Sequence, residues 1–169
     1  MANNSKMRHE NNLKCARSYY HKKEYNTAIK YYKKVLKFDS TNQDALLGLV
    51  NCYYQIKDYI NFYENYYKLS EDRKNSKEIL LQMFDVAKNS KNYGEALNSI
   101  NKLINLSEDD IKLYEEKISI LEKFNDYEKI NEVYNKMFQI FPDDYKKIKS
   151  MKSKHKTPQN KYQKTFNAY

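Results

Sequence analysis

Apolar residues return along this chain at helical spacing, in short runs separated by polar breaks. Leu46, Leu49, Val50 and Tyr53 follow i, i+3, i+4, i+7, and Leu80, Met83, Phe84 and Ala87 repeat that order 34 residues later. Such spacing marks one apolar face of a helix. A second set of runs alternates with the first: Ala28, Tyr32, Val35 and Leu36; Phe62, Tyr66 and Leu69; Ala96, Ile100, Leu103 and Ile104; Ile130, Tyr134, Met137 and Phe138. Two kinds of amphipathic helix in strict alternation are predicted.

The breaks between them also recur. Lys23-Glu24-Tyr25, Lys57-Asp58-Tyr59, Lys91-Asn92-Tyr93 and Asn125-Asp126-Tyr127 each stand 34 residues apart. A constant period of that length is the signature of stacked helix hairpins. It predicts repeats over 9–42, 43–76, 77–110 and 111–144, after a polar lead-in at 1–8. Thr41-Asn42-Gln43-Asp44 and Ser107-Glu108-Asp109-Asp110 read as a capping hydroxyl followed three residues later by an acid. Pro142-Asp143-Asp144 ends one helix and favours the start of the next. Tyr145, Ile148 and Met151 then predict a capping helix over 145–157, with a basic disordered tail at 158–169.

These blocks resemble tetratricopeptide repeats. The first carries the resemblance best, through Ala16 and Tyr19, Tyr25-x-x-Ala28-Ile29, Tyr32, Val35-Leu36 and Asp39. The family's Trp and Gly of the first helix are missing throughout, and Phe62 and Ile130 stand where a small Ala is usual. The resemblance implies an all-α fold, a right-handed α-solenoid of four helix-turn-helix repeats with a C-terminal capping helix. It also implies that a small first-helix column faces a second-helix column within each repeat. The pairs would be Ala16/Ala28, Val50/Phe62, Phe84/Ala96 and Ile118/Ile130, which avoid setting Phe against Phe.

The same resemblance implies a concave groove lined by first-helix residues, and hence a protein-interaction module, a scaffold or adaptor binding a partner peptide. The residues that would line it are Leu13, Arg17, Tyr20, Leu47, Asn51, Tyr54, Leu81, Gln82, Asp85, Glu115 and Glu116, with Gly48 among their neighbours. Leu13, Leu47 and Leu81 share one column, which either contacts a peptide or helps adjacent helices pack. Charge reverses from Lys14, Arg17 and His21 to Glu115, Glu116 and Glu122, which suits a peptide with an acid at one end and a base at the other. The clamp by which some family members hold chaperone C-terminal tails is not reproduced. In its better register only Asn51 and Lys112 match.

Composition adds limits. Net charge is +9, and eight of those charges are Lys146, Lys147, Lys149, Lys152, Lys154, Lys156, Lys161 and Lys164, in a stretch without an acid. This basic tail offers the alternative reading: nucleic acid or an anionic surface, gripped through phosphate contacts. The wider excess of Lys, Asn, Tyr and Ile is accounted for by A/T-rich codons. Gly and Pro number two each, as a helical chain requires. No catalytic set, phosphate-binding Gly-rich loop, metal-ligand spacing or cofactor motif is present, and Cys15 and Cys52 read as inert thiols. A non-catalytic protein is expected. No apolar run approaches a membrane span and residues 1–12 lack a secretory apolar segment, so a cytoplasmic location is expected.

Overall fold

Each recurring break places an L-residue where the backbone favours glycine. Lys23, Lys57, Lys91 and Asn125 have φ of 62°, 59°, 58° and 54°, in the left-handed region. The structure is a computed structural model that describes residues 2–155, with side chains described from residue 7. At three of the turns the hydrogen bonds form a Schellman close. Lys57 N–H donates to the Tyr54 carbonyl (3.1 Å) and Asp58 N–H to that of Tyr53 (3.0 Å), and the bonds at 23–24 and 125–126 are equivalent. At three of the four turns the next residue caps the following helix: Asp58, Asn92 and Asp126 accept from the N–H of Asn61, Glu95 and Lys129, while Glu24 makes no side-chain cap. The break is therefore stop, reversal and start in three residues. A lysine in this conformation costs about 1 kcal/mol or more against glycine. Glycine returns part of that gain through its freer unfolded chain, so Lys57→Gly is expected to stabilise by about 0.5–1 kcal/mol, read as a higher urea midpoint.

The chain divides into two compact units, Met1–Ser90 and Lys91–Tyr169. The first contains α1 (Ala2–His21), α2 (Tyr25–Leu36), α3 (Gln43–Gln55), α4 (Tyr59–Tyr66), the single turn α5 (Glu71–Lys74) and α6 (Lys77–Asn89). In it α1 packs on α2, α2 on α3, and α3 on both α4 and α1. The second contains α7 (Tyr93–Leu106), α8 (Ile111–Lys123), α9 (Tyr127–Ile140), a 3-10 turn at Pro142–Asp144 and α10 (Tyr145–Lys154). These pack in sequence order, α7 on α8, α8 on α9 and α9 on α10, which seals Ile148 completely. No strand occurs among the described residues.

All eight residues of the two small-residue columns are buried, from Ala16 and Ala28 through Ile118 and Ile130. Val50 and Phe62 share one core cluster with Ala16 and Ala28. Within the Met1–Ser90 unit the large Phe62 and the smaller Val50 are thus accommodated in one core.

Two local expectations are corrected. The caps lie later than the hydroxyls suggested. Asn42, not Thr41, accepts from Ala45 N–H (3.0 Å), while Thr41 Oγ1 donates to Asp39 (2.8 Å). Asp110, not Ser107, accepts from Lys112 N–H (3.1 Å). The second helix of the second repeat also stops at Tyr66, before the buried Leu69. Gln43 supplies the reason. Its Oε1 accepts from Ser70 N–H at 2.7 Å and its Nε2 donates to the Thr41 carbonyl at 3.0 Å. This side chain holds Ser70 in extended backbone and gives its N–H a partner outside a helix.

Candidate functional site

Nine of the expected groove residues lie on three helices of the first unit, and the structure joins those helices by side-chain bonds. Arg17 on α1 donates to Asp44 on α3 at 2.9 Å, and Arg73 of α5 reaches the other oxygen of the same carboxylate at 3.2 Å. Further along α3, Asn51 Oδ1 accepts from Gln82 Nε2 of α6 at 2.9 Å. One turn later Tyr54 donates its hydroxyl to Asp85 at 3.2 Å. Burial, with Asp85 as the next cause, raises the Tyr54 pKa, so the phenol keeps the proton that makes this bond. The Asp85 carboxylate also accepts from Asn89 at 3.1 Å.

The leucines divide. Leu13 and Leu47 are half-buried and pack against the unit's core, as do Tyr20 and Tyr54. Leu81 is 44% exposed and is the accessible member of the column. Gln82 is buried, and its Oε1 has no partner among the described residues. Gly48 does not offer its backbone to a ligand, because the Tyr32 ring lies over it. The positive end is partly spent: Arg17 is paired, half-exposed, with Asp44.

Arg73 was not visible as a site residue, although a signal existed. The chain has three arginines among many lysines, and two of them meet on Asp44. A planar guanidinium holds a carboxylate in fixed geometry where a lysine would not. The distance along the sequence hid the pairing, since it depends on the turn that α5 makes.

In the second unit two acidic residues of α8 meet partners on α10 and at its C-cap. Glu115 accepts from Lys147 at 2.8 Å, and this bond raises the Lys147 pKa. Glu122 meets His155 Nε2 at 2.6 Å, while His155 Nδ1 lies 2.7 Å from the Tyr134 hydroxyl. Glu116 is half-buried. Of the basic tail, Lys152 donates to Asn135 at 3.0 Å, and Lys146, Lys149 and Lys154 are exposed. Lys156, Lys161 and Lys164 lie outside the described residues, as does the stretch expected to be disordered. Cys52 is fully buried, which pushes its thiol up to about 12, and Cys15 is half-buried. Among the described residues no helix is long and apolar enough to cross a membrane, and no group of His, Cys, Asp and Glu could hold a metal ion.

With this geometry in hand, comparison with known proteins identifies the fold. A family model described as tetratricopeptide repeat matches residues 19–59. No curated protein matches the chain. Among solved structures the chain is similar to MamA protein, 22% identical with a TM-score of 0.63, over 80% of this chain and 74% of that one. It is similar to a MamA segment from Desulfovibrio magneticus RS-1, 13% identical with a TM-score of 0.61, over 80% and 76%. YrrB, described as a TPR protein with an unusual peptide-binding site, is 17% identical with a TM-score of 0.61, over 78% and 68%. The fold is an all-α helical solenoid of tetratricopeptide-repeat type. The likeness to that family rests on sequence over 19–59 and on fold over about four-fifths of the chain.

Proposed function

We propose that the chain is a non-catalytic interaction module, and that the first-helix face of its Met1–Ser90 unit binds a peptide segment of another protein. One observation carries the reading. Leu81 stands exposed beside a row of polar side chains already fixed by mutual bonds, Asn51 with Gln82 and Tyr54 with Asp85. A face that is set before binding loses little conformational freedom when a partner arrives. Apolar side chains of the peptide would meet Leu81 and the half-buried Leu47, while its backbone amides would find the Asn51 and Asp85 oxygens. Arg17 is engaged with Asp44 and Glu115 with Lys147, so apolar contact outweighs the charged ends in this account. The described peptide-binding site of YrrB, on the same fold, supports it. Lys147 and Lys152 serve contacts inside the fold, which favours a peptide over an anionic polymer held along α10.

The structure shifts the test to Leu81. Charging the half-buried Leu47 would disturb packing, whereas Leu81→Glu changes an exposed position. Peptides selected from a random displayed library on the full chain are expected to bind Leu81→Glu about tenfold more weakly or worse, with unchanged helical circular dichroism. Equal affinity for both proteins would end the reading.

A further inference from the structure

A cavity of about 220 Å³ opens between α7, α8 and α9, entirely within the second unit, and its walls are rich in hydrogen-bond donors. Asn101 and Asn105 come from α7, Tyr114 and Lys117 from α8, and Lys129 and Lys136 from α9, with Glu132 as the one acid. Lys117 breaks the repeat pattern. Counting back by 34 residues, the same position holds Met83, Leu49 and Cys15, of which Met83 and Leu49 are buried core residues. A lysine has taken an apolar seam position.

Two donors at this cavity are left over. Lys117 is half-buried and makes no ion pair among the described residues. By contrast, Lys129 is held by Asp126 at 2.7 Å and Lys136 lies 3.9 Å from Glu108. Burial depresses the Lys117 pKa, Lys136 depresses it further, and Glu132 opposes them. Tyr114 is 1% exposed, and its hydroxyl has no hydrogen-bond partner among the described residues. A buried donor without a partner costs free energy, and an unpaired ammonium costs more. Among the described residues no hydrogen bond or ion pair satisfies either, and Glu132 offsets the cost to Lys117 only in part.

We propose that this cavity is a binding site for a small oxyanion, a phosphate or carboxylate group, held by Lys117 and Lys136 and hydrogen-bonded by Tyr114 and the α7 amides. The ligand must accept bonds, because the walls mainly donate them. It must be small, because the volume lies below that of sites for drug-sized molecules. Glu132 tempers the positive charge and favours a singly or doubly charged group over a polyanion. The site is separate from the peptide-binding face and does not depend on it.

Thermal unfolding of the full chain tests the proposal, with inorganic phosphate and acetate titrated against sodium chloride at matched ionic strength. One of the two anions is expected to give a saturable rise in midpoint beyond the salt control, and which one it is separates the phosphate from the carboxylate. Lys117→Met restores the apolar column and should fold with its midpoint at or above the wild-type value. It should lose the anion response. Tyr114→Phe should fold and need about tenfold more anion for half of the rise. If neither anion exceeds the salt control, or if Lys117→Met responds like wild type, the site does not exist as described. If Lys117→Met does not fold, an undiminished response in Tyr114→Phe overturns the proposal in the same way.

Discussion

Phe62→Ala is expected to destabilise the Met1–Ser90 unit by about 3–5 kcal/mol, a large part of what a domain of this size possesses. Phe62 is completely buried, with Val50, also completely buried, in the same cluster. Its ring stacks on Tyr66 at 6.0 Å between centroids, meets Tyr63 edge-on at 5.9 Å and lies 6.4 Å from Tyr54. Removing it opens a cavity and loses three ring contacts, each worth about 0.5–1.5 kcal/mol in favourable cases. The helix that bears it makes the loss worse. α4 has eight residues, too few to hold as a helix without tertiary contact. Two side chains fasten it at its first turn and its interior: Asp58 caps it and Phe62 anchors it. Ile60 on the same helix is 84% exposed, so Ile60→Ala should change stability by no more than about 0.5 kcal/mol. Urea denaturation followed by circular dichroism compares the two. A Phe62→Ala loss below about 1 kcal/mol would show that the ring is not the anchor.

What could be read from the sequence was what repeats. The 3.6-residue spacing of Leu46, Leu49, Val50 and Tyr53 placed α3, and the 34-residue period of the tyrosines placed the turns. What escaped depended on single side chains choosing between neighbouring partners. Thr41 and Asn42 are both capable caps, and the choice falls on Asn42 because Asp39 takes the threonine hydroxyl. The end of α4 depends on Gln43, 27 residues away from Ser70. The conformational role of the turn lysines was not legible, since φ is invisible in residue type unless glycine announces it. At the candidate face, the helix column was legible but not which members were already satisfied. Leu13 and Leu47 pack inward and Leu81 does not, a difference that identical residues cannot reveal. Lys117 was the opposite case. It stood openly in a column of Cys, Leu and Met, and only the cavity beside it gives the exception a meaning.

Gly48 is the position where helix propensity and packing make opposite predictions. It lies inside α3, where alanine in its place should gain about 1 kcal/mol of backbone stability. A Cβ there would collide with the Tyr32 ring of α2, lying 2.6 Å from Cε2 and closer still to Cε1 and Cζ. Tyr32 has little room to yield. It is 4% exposed within the core cluster, and burial pushes its phenol up to about 12. Overpacking a closed core costs about 1–3 kcal/mol, and contact with three ring carbons places this case at the upper end. Gly48→Ala is therefore expected to lose about 2 kcal/mol net despite the better helix former. The sign should reverse once the ring is gone. In a Tyr32→Leu background the same Gly48→Ala change should stabilise by up to about 1 kcal/mol, giving a coupling of about 3 kcal/mol between two residues on adjacent helices. Four urea denaturation curves measure that cycle. Coupling near zero would mean that Gly48 is not kept small by Tyr32.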